Sequence, residues 1–155
     1  MTENRFARYV AESIRNYAGE KVASGDWSAE ESLDRAGTEL EKLLPLGLRT
    51  RDHHFFTIQA EPAGEVGILW FAVIPRAGRK AAYVYDVAIG EEHRRKGYAS
   101  EAFQLLEKRA RSMGLAGIAL HVFAHNRAAR DLYAGLGFQE VDLTLFKEVR
   151  HPQGG

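Results

Sequence analysis

The stretch Val87-Ala88-Ile89-Gly90-Glu91-Glu92-His93-Arg94-Arg95-Lys96-Gly97-Tyr98-Ala99-Ser100 has the residue types of an anion site. A hydrophobic strand runs into a glycine-containing loop, and the loop opens a helix. The first amides of a helix have no intrahelical partner and carry a partial positive charge, and Arg94, Arg95 and Lys96 add full charges beside them. A pyrophosphate fits such a place. Gly97 lets the backbone approach phosphate oxygens closely, and Ala99 is small enough for the same purpose. On the charges alone, the same residues also describe a solvated basic turn ahead of a surface helix. The Gly-x-Gly-x-x-Gly dinucleotide loop and the Gly-x-x-x-x-Gly-Lys-Ser/Thr phosphate loop are both absent.

Two further groups could move protons. Asp86 lies within Tyr83-Val84-Tyr85-Asp86-Val87, where a carboxylate in a strand asks for a partner; it either takes part in proton transfer or anchors a neighbouring strand or loop. Tyr133 precedes Gly135-Leu136-Gly137-Phe138 and is either an aromatic packed under that turn or a phenol donor. Trp27, Trp70, Tyr83 and Tyr85 read first as core packing and second as the lining of an acceptor pocket. His53-His54, His121 and His125 carry no HExxH spacing and no carboxylate in a ligand pattern, so they read as polar residues at strand ends and no metal is expected. The chain has no cysteine, which removes disulfides, thiolate zinc sites and a cysteinyl-enzyme intermediate together.

These groups need elements to position them. Phe6, Tyr9, Val10, Ile14, Tyr17 and Val22 recur at three-to-four spacing and predict an amphipathic helix to about Ala23, ended by Ser24-Gly25-Asp26. Ser28-Ala29-Glu30-Glu31 has the pattern of a capping box, opening a second helix with Leu33, Ala36, Leu40, Leu43 and Leu44 as its buried stripe and Pro45 and Gly47 at its exit. From His53 to Gly90 three runs rich in aromatic and β-branched residues, separated by Glu61-Pro62-Ala63-Gly64 and Pro75-Arg76-Ala77-Gly78, predict an antiparallel meander. A helix from about Tyr98 to Met113 follows, closed by Gly114, then a strand Ile118 to Phe123, a short helix Arg127 to Tyr133 and a final strand Val141 to Val149. Strand, crossover helix and strand in that order imply a parallel pair at the centre of an otherwise antiparallel sheet.

With 155 residues the chain fits one domain. Lys and Arg number 21, as do Asp and Glu, so the net charge is zero and there is no whole-protein basic field for nucleic acid or membrane; three basic residues make a small footprint. The N-terminus lacks a signal pattern and no apolar run approaches the roughly 20 residues of a membrane span, so the expectation is a soluble, cytoplasmic protein.

Arg94-Arg95-Lys96-Gly97-Tyr98-Ala99 resembles the Q/R-x-x-G-x-G/A coenzyme A loop of the GNAT superfamily of N-acetyltransferases, and a hydrophobic strand ending in Val87-Ala88-Ile89 precedes it at the family's distance. Downstream, Asn126-Arg127-Ala128-Ala129-Arg130-Asp131-Leu132-Tyr133 followed by Gly135-Leu136-Gly137-Phe138 resembles the family's second signature. The resemblance covers about Phe55 to Val149 and implies a single α/β domain over 1–155. In it a mixed, mostly antiparallel sheet with a splayed parallel pair is flanked by about four helices, residues 1–50 shape the acceptor side and 83–138 form the acetyl-CoA-binding core. The family opens on a strand, whereas helix periodicity here starts by Phe6, so that strand is short or missing.

Residue by residue, the resemblance implies that the main chain of Val87, Ala88 and Ile89 holds the pantetheine arm and polarises the thioester carbonyl. It gives the pyrophosphate to Arg94, Arg95, Lys96, Gly97, Tyr98, Ala99 and Ser100, makes Asn126 a contact of the coenzyme or of the strand end, and makes Tyr133 the general acid. The implied reaction is acetyl transfer from acetyl-CoA, as co-substrate, to a primary amine by direct attack in a ternary complex. An amine of pKa near 10 must lose a proton and a departing thiolate of pKa near 8.5 is helped by a donor. Tyr133 can donate and Asp86 can accept through a water. The alternative is a non-catalytic acyl-CoA-binding or regulatory domain that keeps the loop without acceptor chemistry. No motif names the amine: polyamine, amino acid, antibiotic and protein N-terminus stay open. Edge strands and the family's habits point to a homodimer.

Overall fold

The computed structural model describes residues 1–150 and 152. Helix α1 spans Glu3–Ala23, with Thr2 as its N-cap accepting a hydrogen bond from the Arg5 N–H at 3.2 Å, and among the described residues no strand comes before it. Phe6, Tyr9 and Ala18 are its buried residues, the face that the three-to-four spacing requires. Helix α2 spans Ser32–Leu43 and starts later than a capping box at Ser28 would place it. The Ser28 hydroxyl donates to Glu31 Oε1 at 3.0 Å, so the two side chains bond each other instead of free amides, and Glu31 caps the helix without a side-chain bond. Ala36 and Leu44 are buried and Leu40 and Leu43 pack against the core, as the stripe requires, whereas Leu33 is exposed and Ser32 is covered in the first turn.

Strands β1 (His53–Ala60), β2 (Gly64–Arg76) and β3 (Arg79–Ile89) form the expected antiparallel meander. The β2–β3 hairpin is tighter than the sequence suggests: Pro75 pairs with Lys80 inside the ladder, and Ala77 and Gly78 alone make the turn, at φ 49° and 76°. Two positive φ values in a two-residue loop match the right-handed twist of the flanking strands. Helix α3 (Tyr98–Ser112) crosses to β4 (Ile118–Leu120), which pairs parallel with β3, and α4 (Arg127–Gly135) follows. The sheet order is β1-β2-β3-β4, so the parallel pair lies at an edge and not at the centre. β4 is shorter than expected, with no ladder at His121, Val122 or Phe123.

The final strand expected from Val141 to Val149 is not formed; Val141, Leu143, Leu145, Phe146 and Val149 are all exposed and the segment pairs with nothing among the described residues. Alternation is present, but the segment is not aligned with either edge strand of the sheet, and it is pairing that makes a strand.

Four helices cover the sheet in two layers. Phe6, Tyr9 and Leu44 pack with Phe55, Ile68 and Trp70 on one face. Ala102, Phe103 and Leu106 of α3 pack with Leu69, Phe71, Ala82 and Val84 on the other, joined by Tyr133, Leu136 and Phe138. Between Trp70↔Asp86 and Phe71↔Val84 the register slips by one, leaving Tyr85 as an extra residue on β3. A bulge of this kind reverses which face the following side chains meet. Val84 therefore packs on the α3 face while Asp86, two residues on, meets α1. No helix among the described residues is long and apolar enough to cross a membrane.

Candidate active site

β3 pairs with β4 only at Ala82, Tyr83 and Val84, yet it continues to Ile89. Over residues 85–89 its β4 side therefore has no neighbouring strand among the described residues, and peptide groups pointing there are open to a ligand. Val87, Ala88 and Ile89 lie on this run. The Ile89 carbonyl accepts from Arg94 Nε at 3.2 Å, which ties the first loop cation to the strand end.

The loop turns through Glu91–His93 and then places Arg95 at φ 61° and Gly97 at φ 84°. A left-handed residue within such a turn is the backbone pattern from which anion-binding concavities are built. The first intrahelical bond of α3 runs from the Glu101 N–H to the Gly97 carbonyl at 3.1 Å, so the amides of Tyr98, Ala99 and Ser100 precede it. Arg94, Arg95 and Lys96 extend exposed beside them. Of the expected strand and loop residues, Ala88, Ile89 and Arg94 line one cavity, and residues 95–100 follow directly in the chain at the start of α3. Asn126 acts locally as the N-cap of α4, its Oδ1 accepting from the Ala129 N–H at 3.2 Å.

Asp86 is turned toward α1 by the bulge, where the Tyr9 phenol donates to its Oδ2 at 2.8 Å. Burial raises the Asp86 pKa above the usual carboxylate value, while the bonds from Tyr9 and the Val87 N–H oppose the rise. Tyr9 itself is buried and its phenol pKa is driven far up, by burial first and by the Asp86 charge second. Asp86 lines a cavity of about 370 Å³ with Tyr9, Glu12, Asn16, Gly67 and Gly90. Two shielded polar atoms on the same wall, Ser13 Oγ and His93 Nδ1, have no protein partner among the described residues. Gly67 has no substitute here, because a Cβ on it would overlap the Ala88 carbonyl oxygen across the ladder.

Tyr133 comes from the other layer. Its ring meets Phe103 and Phe138 edge-on, each at 5.6 Å between centroids, so it is packed under the Gly135–Phe138 turn. Its pKa is raised by burial and then by the charge of Asp86, so the two groups sense each other without a hydrogen bond. The aromatic residues divide. Trp70 is buried opposite Asp86, stacks on Tyr85 at 4.6 Å and donates from Nε1 to His53 Nδ1 at 3.0 Å. Trp27 is buried with Ala18 and Ala36 between α1 and α2. His125 pairs with Glu20 at 2.7 Å, and no cluster of three or more His, Asp or Glu among the described residues is placed to hold a metal ion.

Tyr9 was hidden in the sequence among the apolar residues of the α1 stripe. Its signal was chemical: a phenol on a buried face seeks an acceptor, and a carboxylate in a strand seeks a donor. The bulge at Tyr85 left no such sign.

The model of the acetyltransferase (GNAT) family matches residues 20–138 of the chain. The chain is 38% identical over 149 residues to the uncharacterized N-acetyltransferase YycN of Bacillus subtilis, with 96% of each chain covered. It is 33% identical over 149 residues to the uncharacterized N-acetyltransferase YdgE of the same organism, covering 96% of this chain and 95% of that one. The crystal structure of YycN superposes with a TM-score of 0.91 over 97% of this chain and 96% of the other.

Proposed function

The chain belongs to the acetyltransferase (GNAT) family, and on that footing we propose that it moves an acetyl group from acetyl-CoA to a primary amine by direct attack in a ternary complex. The observation that carries the proposal is the run of β3 over 85–89, paired with β2 on one side and past the end of β4 on the other, leading into the left-handed loop at the start of α3. Free amides and three cations suit a pyrophosphate, and open main-chain groups suit the amides of a pantetheine arm. When bound, acetyl-CoA supplies the acetyl group as an activated thioester.

The chain's own residues then divide the proton traffic. Asp86, raised above the ordinary carboxylate range and facing the cavity, is a stronger base than a free aspartate and takes the amine proton through a water. The Val87 N–H is engaged by Asp86, so a main-chain amide beyond it on the strand stabilises the developing oxyanion. Tyr133 keeps its proton throughout the neutral range and gives it to the departing sulfur as the C–S bond breaks and the C–N bond forms. The proton gained by Asp86 returns to the phenolate through solvent, so the balance closes. Asn126 orders the start of α4, the helix that carries Tyr133. The α1 side of the cavity, with Tyr9, Glu12 and Asn16, forms the acceptor wall.

Isothermal titration with acetyl-CoA and with free CoA tests the donor half. Micromolar binding is expected, with loss in Gly97→Glu, where a side chain must adopt a left-handed backbone and brings negative charge to the loop. A screen of amines for thiol release tests the acceptor half, and the absence of cysteine removes any protein background from that assay. Failure of the wild-type chain to bind either ligand overturns the proposal.

A further inference from the structure

The cavity beside Asp86 holds a charge that the chain as a whole lacks. The protein is neutral, with 21 basic and 21 acidic side chains, yet this cavity of about 370 Å³ is walled by five carboxylates, Glu12, Glu65, Asp86, Glu91 and Glu92, against two guanidiniums, Arg5 and Arg94. Both guanidiniums are engaged. Arg5 pairs with Glu65, and Arg94 donates to the Ile89 carbonyl at the strand end. Glu92 lies 3.4 Å from His93. Glu12, Asp86 and Glu91 form no ion pair among the described residues, and Arg8, which lines the adjoining recess with Glu12, does not pair with it.

The arrangement of these groups matters as much as their sum. The Tyr9 phenol donates to Asp86, and Glu12 stands one turn further along α1 on the same face. That turn is about 4.5 Å of helix rise, so the Glu12 carboxylate is offset along the wall from the group that takes the amine proton. Next to Glu12, the Oγ of Ser13 is less than 1 Å² exposed and has no hydrogen-bond partner among the described residues, on the same wall. A shielded hydroxyl without a partner is a bond for an occupant to complete. An amine with one charge answers Asp86 and leaves Glu12 unanswered, and an amine with a distal carboxylate brings like charge to an acidic wall.

We infer that the acceptor is an amine carrying a second positive charge a few carbons from the reacting nitrogen, a diamine or polyamine, and that Glu12 is the residue that selects it. This acceptor class rests on the acetyl-transfer reading and fills the place that reading leaves open. The reacting nitrogen loses its proton toward Asp86 as the C–N bond forms and the C–S bond breaks, while the distal ammonium keeps its protons and pairs with Glu12. The donor's phosphates occupy Arg94 in the same reading, so the acceptor wall is more negative when both substrates are present. Glu12 is exposed, so the selection is moderate in size and weakens with salt.

Tetramethylenediamine, butylamine and γ-aminobutyrate share one chain length and differ in distal charge, which is positive, absent and negative. In NMR titrations of the protein with free CoA at low salt, the diamine is expected to bind about fivefold more tightly than the monoamine, with the amino acid weakest. The same order is expected in kcat/KM for thiol release from acetyl-CoA. Hexamethylenediamine, hexylamine and ε-aminocaproate repeat the comparison at a second length. Glu12→Gln is expected to bring the ratio of diamine to monoamine toward one and Glu12→Lys to shift preference to the amino acids, with helical circular dichroism checking that α1 is intact. A diamine no better than the monoamine at both lengths, tighter binding of the amino acids by the wild-type chain, or an advantage that survives Glu12→Gln overturns the inference. Absence of thiol release with every amine, while Glu12-dependent diamine binding persists, overturns the transfer reading instead.

Discussion

Asp86 is held where its charge is disfavoured. Burial raises its pKa, and only the Tyr9 phenol and the Val87 N–H favour the carboxylate. An aspartate in the unfolded chain titrates near about 3.9, so on raising the pH the unfolded state loses its proton first. Stability therefore falls as pH climbs from there through the raised folded value, and the deficit persists above both. Asp86→Asn should melt higher than wild type at pH 7, with the gap closing toward about pH 4, while its turnover falls by about 10²–10⁴-fold; a melting temperature at or below wild type at pH 7 would contradict the burial penalty. Tyr9→Phe removes a bond that favours the carboxylate, so the acid limb of kcat/KM should move to higher pH. An unmoved limb would mean that another group is the base. Tyr133, raised above the usual tyrosine value of 10.0, should impose no alkaline loss within the neutral range. Its replacement in Tyr133→Phe should lower kcat by about 10²-fold or more. Unchanged kcat at every pH would remove its general-acid role.

At the scale of elements, the close approach of β2 and β3 beside the cavity depends on Gly67. Gly67→Ala sets a methyl group against the Ala88 carbonyl and should destabilise the fold by about 1–3 kcal/mol. Denaturant titration checks it, and an unchanged midpoint would show that the strands can part freely. The helices and the meander were legible because their periods of 3.6 and 2 run the length of each element, as in Phe6 to Val22 and Phe55 to Ile58. The later start of α2 was not, because Ser28 and Glu31 satisfy each other and local pattern cannot show which acceptor wins. Nor was the bulge at Tyr85, which is a property of two paired strands and not of either alone. Residues 141–149 failed for a related reason: alternation marks a segment that can be a strand, and pairing decides whether it becomes one.

Across the whole molecule, the candidate proton acceptor and donor belong to different layers. Asp86 faces the α1 side and Tyr133 packs on the α3 side, and they sense each other where β3 and β4 separate. The residue types of the site were readable in one dimension, but this division was not, since it follows from the single-residue slip that turns Asp86 away from the face of Val84. In the proposed reaction it separates two responsibilities: α3 and its loop would carry the donor side, α1 and α2 the acceptor side.

Trp70 lies directly opposite Asp86 and stacks on the bulged Tyr85, while the chain's other tryptophan, Trp27, is sequestered between α1 and α2. A Trp27→Phe chain would thus carry one indole, placed at the bulge where the strand opens. Its emission should change saturably on titration with acetyl-CoA, with a midpoint equal to the calorimetric Kd, and a flat signal alongside calorimetric binding would mean that the bulge stays rigid when the site fills. A saturable change would make the packing of one aromatic ring an intrinsic optical gauge of occupancy, readable on the millisecond scale by rapid mixing and without any attached dye.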